Sequence, residues 1–139
     1  MSEEGDFEFG DNVDKAAFEQ ILDMDEEEER EFSKSIVFGF LEQAEQTFSK
    51  MDAAMKDKNL EELSSLGHFL KGSSATLGFT KVKDECEKIQ HYGHKKNETG
   101  ESDEPDEEKC LRLIGESIAE AKRAYEVVNG LMKQFYADA

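Results

Sequence analysis

Apolar residues recur once per helical turn along two long stretches, and this pattern limits what the chain can fold into more than any other feature. The first stretch carries Phe32, Ile36, Val37, Phe40, Leu41, Ala44, Phe48, Met51 and Met55; the second carries Leu111, Ile114, Ile118, Ala121, Tyr125, Val128, Met132 and Phe135. Such spacing gathers the apolar side chains into one stripe along a helix. Each stripe has to be covered by another element, so the chain needs a helical architecture with stripes facing one another.

Shorter segments supply the remaining stripes. Ala17, Phe18, Ile21 and Leu22 predict a short helix over 14–23, ended by Met24. The acidic run 25–29 then leads into a helix over 29–56, since carboxylates favour a helix N-terminus. Asn59 with Glu62 resembles a capping box, and Gly78 suits the left-handed residue that ends a helix, which frames a helix over 60–77. Thr80 is placed to cap a helix over 81–95, where Val82, Cys86, Ile89 and Gly93 form the inner line and Gln90 sits at its edge. The polar stretch 97–108, which holds the only proline, Pro105, reads as a solvated acidic loop before the last helix, 109–135. Short connections make consecutive helices antiparallel neighbours. The expected fold is all-α: an up-down-up-down four-helix bundle with a short additional N-terminal helix as a lid over one end. One domain spans 1–139, with 1–12 flexible.

Charge narrows the function. Asp and Glu outnumber Lys and Arg by 34 to 17, a net charge of −17. Nucleic-acid binding needs a basic footprint, so none is expected. No apolar run spans a bilayer and no signal-peptide pattern opens the chain, so a soluble intracellular protein without a membrane partner is expected. Cys86 and Cys110 form no CxxC pair and read as reduced thiols on apolar faces. The acidic run 25–29 lacks the glycine and ligand spacing of a calcium loop. Cys86, His91 and His94 fall short of the four ligands of a structural zinc site, and residues 86 and 91 do not point to one place on a helix. No metal site is expected.

The chemistry concentrates in the run Leu66-Gly67-His68-Phe69-Leu70-Lys71-Gly72-Ser73-Ser74-Ala75-Thr76-Leu77-Gly78-Phe79. Leu66, Leu70 and Leu77 turn to one side of the helix, flanked by Phe69 and Ser73. His68 stands on the wetter side, with Lys71 and Gly72 one turn on. A neutral imidazole is a good nucleophile near pH 7. Lys71 offers a point cation to a negatively charged group on that ring. Gly72 leaves space for such a group and for a bulky donor. A glycine inside a helix costs roughly 0.5–1 kcal/mol relative to Ala, so it calls for a reason, and close approach is one. Close helix packing is another.

The run His68-Phe69-Leu70-Lys71-Gly72-Ser73-Ser74-Ala75 with Leu77-Gly78 resembles the active-site helix of histidine-containing phosphotransfer (HPt) domains. The chain is similar, more narrowly, to the fungal phosphorelay intermediates of the osmosensing two-component pathway. The likeness runs roughly over 18–89 and resumes in the last helix; it takes in Met24 with its acidic run, Phe32-Ser33-Lys34 and Cys86-Glu87-Lys88-Ile89-Gln90. The resemblance implies that His68 is the phosphoacceptor, that Lys71 and Gly72 assist it, and that Gln90 helps hold the ring. The position four beyond Gln90 commonly carries Arg in that family and is His94 here.

Ala17, Ile21, Met24, Phe32 and Ile36 exceed what four packed stripes need, and the resemblance places receiver docking on this same region; the alternative is that the first helix packs on the second and hides all five. The implied partners are the receiver domain of a hybrid histidine kinase and downstream response regulators. The chain would be a monomer of the cytoplasm and nucleus with no cofactor of its own, Mg²⁺ being expected on the partner receiver. It lacks the glycine boxes of a histidine kinase's ATP domain and has no room for that domain, so it is expected to be a phosphotransfer protein and not a kinase. The alternative is a non-catalytic acidic helical adaptor in which His68 is incidental.

Overall fold

The computed structural model describes residues 9–26 and 30–137. Five α-helices follow a single 3-10 turn, Gly10–Asn12: α1 (Lys15–Leu22), α2 (Glu31–Lys56), α3 (Leu60–Leu77), α4 (Thr80–Gly93) and α5 (Glu107–Ala137). The last four pack in a closed ring, α2 on α3, α3 on α4, α4 on α5 and α5 back on α2. This is the antiparallel bundle that four apolar stripes joined by short connections favour.

Helix starts follow from local hydrogen-bond chemistry. The Asp14 carboxylate accepts the Ala16 and Ala17 N–H groups at 3.1 and 3.4 Å. Asn59 Oδ1 accepts the Glu62 N–H at 3.0 Å, and Asp106 Oδ1 accepts that of Lys109 at 3.1 Å. Each side chain satisfies an amide that has no partner inside its own helix. Gly78 closes α3 at φ +80°, with the Phe79 N–H donating back to Ser74 O at 2.9 Å. A side chain there would be strained by φ and would also strike the carbonyl of Asp14, 2.7 Å from an added Cβ. The Asp14 N–H donates in turn to Gly78 O at 2.6 Å, which ties α1 to the end of α3.

The core is continuous from end to end. Val37, Met51, Leu63, Leu70, Val82, Cys86, Ile89, Ile114, Val128 and Met132 are all fully buried. At the α1 end it is aromatic: Phe18 lies 5.3 Å from Phe9 and 5.7 Å from Phe135, and Phe40 lies 5.1 Å from Phe79, centroid to centroid. At 4.5–7 Å such rings gain more than their buried area alone. Helix α1 is therefore a lid, as expected, and is anchored by Phe18.

Four features depart from the sequence reading. Phe9 is buried, so part of the 1–12 lead assigned as flexible packs against Phe18 of α1; residues 1–8 lie outside the described residues. Thr80 does not cap α4 with its side chain; its hydroxyl donates to the carbonyl of Asp11 at 3.2 Å instead. Helix α4 ends at Gly93 and not at 95, because the residues after it turn back. The acidic loop is folded and not simply solvated. Asn97 Oδ1 accepts the Glu101 and Ser102 N–H groups. Asn97 N–H donates to Ser102 O at 2.8 Å, and Lys96 pairs with Asp103 across the turn.

Candidate functional site

The α3–α4 pair sets the geometry of the site. Gly67 and Gly93 let the two helices approach: an added Cβ would lie 2.8 Å from Cys86 O at Gly67 and 2.7 Å from Leu60 O at Gly93. The Ser64 hydroxyl bridges the same seam, donating to Gln90 O at 3.0 Å. Burial pushes the Cys86 thiol on this seam up to about 12, with the Glu85 charge a smaller contributor. That keeps it a neutral thiol, inert as a nucleophile.

His68 stands at the outer rim of this seam, exposed to solvent. Among the described residues no hydrogen bond or ion pair holds its ring, so both ring nitrogens are open to a reactant. One turn on, Gly72 faces open space, with nothing within 4 Å of an added Cβ. This separates the two reasons a mid-helix glycine can have. Gly67 serves helix packing, and Gly72 does not. Lys71 is half-buried, and its ammonium lies 3.8 Å from Glu87 Oε2 of α4.

Gln90 is half-buried at the α4 edge, its backbone N 3.0 Å from where a Gly67 Cβ would be. Its Oε1 is buried without a hydrogen-bond partner among the described residues. Three of the four residues singled out as chemical thus share one helical face, and Gln90 lies across the seam behind the residue before His68. His94 is exposed at the end of α4, and His91 is occupied, its Nδ1 2.8 Å from Glu98 O. Among the described residues no group of three or more His, Cys, Asp or Glu side chains could hold a metal.

The five residues assigned to docking divide. Ile21 is 7% exposed and belongs to the core, because α1 turns that face onto the bundle. Ala17 and Ile36 are half-buried. Met24 and Phe32 stand out at 56% and 47% exposure, and with Asp25, Glu26 and Glu31 they line a surface cleft of about 450 Å³. Two residues escaped the sequence reading. Phe69, beside His68, is 48% exposed; its place off the Leu66–Leu70–Leu77 line was the available signal. Glu87 shares an α4 edge with Gln90 at i, i+3, but its meeting with Lys71 is made only by the α3–α4 approach.

The α3 face thus presents a bare, solvent-facing histidine beside a lysine and an open glycine on a long helical bundle. The family model described as the Hpt domain matches residues 36–124. The chain belongs to the Hpt domain family. It is 45% identical over 124 residues to multistep phosphorelay regulator 1 of Schizosaccharomyces pombe, a match covering 89% of this chain and 42% of that protein. It is 59% identical over 85 residues to the phosphorelay intermediate protein YPD1 of Candida albicans, covering 61% of this chain and 46% of that protein. The matches thus span less than half the length of these curated relatives. Among solved structures, Saccharomyces cerevisiae Ypd1 in its co-crystal with the receiver domain of its downstream response regulator Ssk1 matches with a TM-score of 0.79. That match has 29% identity and covers 91% of this chain and 95% of that one.

Proposed function

We propose that the chain is a phosphorelay carrier: His68 accepts a phosphoryl group from the aspartyl phosphate of a hybrid kinase's receiver and passes it to the Asp of a response-regulator receiver. The observation that carries this reading is the pairing of an exposed, unbonded imidazole with the empty space at Gly72. The open space at Gly72, one turn from the ring, leaves room for a phosphoryl group and the surface of its donor.

In the forward step a ring nitrogen of His68 gives its lone pair to phosphorus. The P–O bond to the receiver's aspartate breaks, and that electron pair returns to the carboxylate. The other ring nitrogen keeps its hydrogen, and the orphaned Oε1 of Gln90 is the acceptor we assign to orient the ring. Transition-state charge spreads over three phosphoryl oxygens, so positioning and cations do most of the catalysis. Lys71 supplies one cation. A Mg²⁺ ion held by the acidic residues of the receiver would supply further positive charge there. The carrier holds no nucleotide and takes its phosphoryl group from protein. Met24, Phe32 and Phe69 form the apolar contacts offered to receivers, since a modest exposed apolar patch suits transient binding. This reading places the carrier in the cytoplasm and nucleus, in an osmosensing relay.

The test is to incubate the chain with a receiver domain charged by acetyl phosphate and follow acid-labile, base-stable phosphate. The wild-type chain gains it. His68→Gln keeps its helical signal and gains none, because an exposed ring contributes little packing. Phosphate persisting on the His68→Gln chain would exclude His68 as the acceptor, and a wild-type chain that never takes phosphate would favour the acidic adaptor.

A further inference from the structure

Lys71 does not face His68 unopposed. It lies one turn along α3 from the imidazole, yet its ammonium is drawn across the helix seam to the Glu87 carboxylate, 3.8 Å away. The meeting is built into the packing. Gly67 and Gly93 bring α4 against α3, and the Ser64–Gln90 hydrogen bond fixes the register of the pair. Antiparallel packing in that register sets residue 71 opposite residue 87. The Lys71 side chain is 27% exposed and that of Glu87 is 50% exposed, so the acid is the more solvated partner and the lysine the more constrained one.

We infer that Glu87 is a positioning residue that holds Lys71 in the uncharged carrier and yields it to the phosphoryl group when His68 is charged, thereby setting how strongly His68 retains that group. The inference rests on the carrier reading above. An exposed ion pair is weak. A phosphoryl group brings roughly −1.5 to −2 charge near pH 7 and three acceptor oxygens, against the single charge of one carboxylate. Lys71 sits at i+3 from His68, where helix neighbours meet, so the ammonium moves between the two acceptors by side-chain rotation alone. No proton changes hands, because Lys71 stays an ammonium throughout. Charging His68 therefore requires giving up the Lys71–Glu87 pair. That requirement lowers the stability of the charged carrier relative to one lacking Glu87. A relay intermediate gains from this, since a carrier that retained its phosphoryl group too strongly would stop passing it on.

The experiment measures the equilibrium ratio of phosphohistidine to aspartyl phosphate between the chain and a receiver charged with acetyl phosphate. It compares wild type, Glu87→Gln, Lys71→Ala and the double variant, at low and high salt, with urea midpoints recorded for each. Glu87→Gln is expected to shift the ratio toward His68 by about two- to fivefold, the range open to an exposed ion pair. The shift should shrink in high salt. In the Lys71→Ala background Glu87→Gln should change nothing further, an outcome a merely structural role for Glu87 would not produce. An unmoved ratio in Glu87→Gln overturns the inference. So does a shift that persists at full size without Lys71, since the carboxylate would then act on the phosphoryl group directly. A wild-type chain that takes no phosphate on His68 removes the carrier reading itself.

Discussion

Gly67 and Gly72 sit on the same helix and look alike in the sequence, yet their surroundings are opposite. A Cβ at Gly67 would press on Cys86 O at 2.8 Å, on Gln90 N at 3.0 Å and on Ile89 Cγ2 at 3.1 Å, two of them backbone atoms that cannot rotate away. One at Gly72 would meet nothing within 4 Å. Gly67→Ala should therefore destabilise the bundle, by about 1–3 kcal/mol as overpacking commonly does. Gly72→Ala should stabilise it by about 0.5–1 kcal/mol through the better helix propensity of Ala. Urea titrations of the two variants decide the matter: a Gly67→Ala chain no less stable than wild type would mean that the α3–α4 seam is looser than this, and a destabilised Gly72→Ala chain would mean that the space at Gly72 is not open. The sequence singled out Gly72 by its spacing from His68. It did not single out the packing role of Gly67, because that glycine's partner is a carbonyl on another helix.

The corner between α1 and α2 shows how an element is placed by distant groups. Arg30 enters α2 in the left-handed region and gives no side-chain cap. Asp25 serves in its stead, its Oδ1 accepting the Ser33 N–H at 2.8 Å and its Oδ2 the Ser33 hydroxyl at 2.6 Å. Tyr136 donates to the same hydroxyl oxygen at 2.7 Å from the end of α5. This buried network fixes the rim from which Met24 and Phe32 project. On the proposed docking, Phe32→Ala should weaken binding to each cognate receiver by about fivefold or more, the loss of over about 1 kcal/mol that marks an important interface residue, with helicity unchanged. Receiver titrations by calorimetry check this, and unaltered affinity would remove Phe32 from the docking surface. Ile21→Ala is not an equivalent test, since Ile21 is core and its loss would act through stability.

Across the whole molecule, the buried Cys86 thiol couples stability to pH. Its pKa rises from an ordinary 9.0 to about 12 in the folded chain, through burial first and Glu85 second. The unfolded chain loses this proton more readily than the folded one. Folding stability from Cys86 is thus fully present below pH 9, declines as pH climbs from 9 toward 12, and is spent above that. The slope from this one group is at most about 1.4 kcal/mol per pH unit. Burial also raises the pKa of Tyr125, whose hydroxyl bonds Glu45 and Leu41 O, so it adds a decline in the same direction. Urea midpoints between pH 8 and 11 should fall more steeply for wild type than for Cys86→Ala. Parallel curves would show that the thiol is not buried as described.

The sequence by itself determined the helices, their order and the chemical face of α3. Apolar spacing, Asn59 and Gly78 are local signals, readable because a helix brings residues three and four apart together whatever surrounds it. His68, Lys71 and Gly72 were legible for the same reason. Only the tertiary structure decided what Lys71 touches, which glycine packs and which stays open, and that Ile21 is core while Phe69 faces solvent. It also decided that the acidic stretch 97–108 folds, since Asn97 and Lys96 close that turn on partners several residues away. Those outcomes depend on contacts between segments far apart in sequence, and neither composition nor periodicity records the distance at which two helices come to rest.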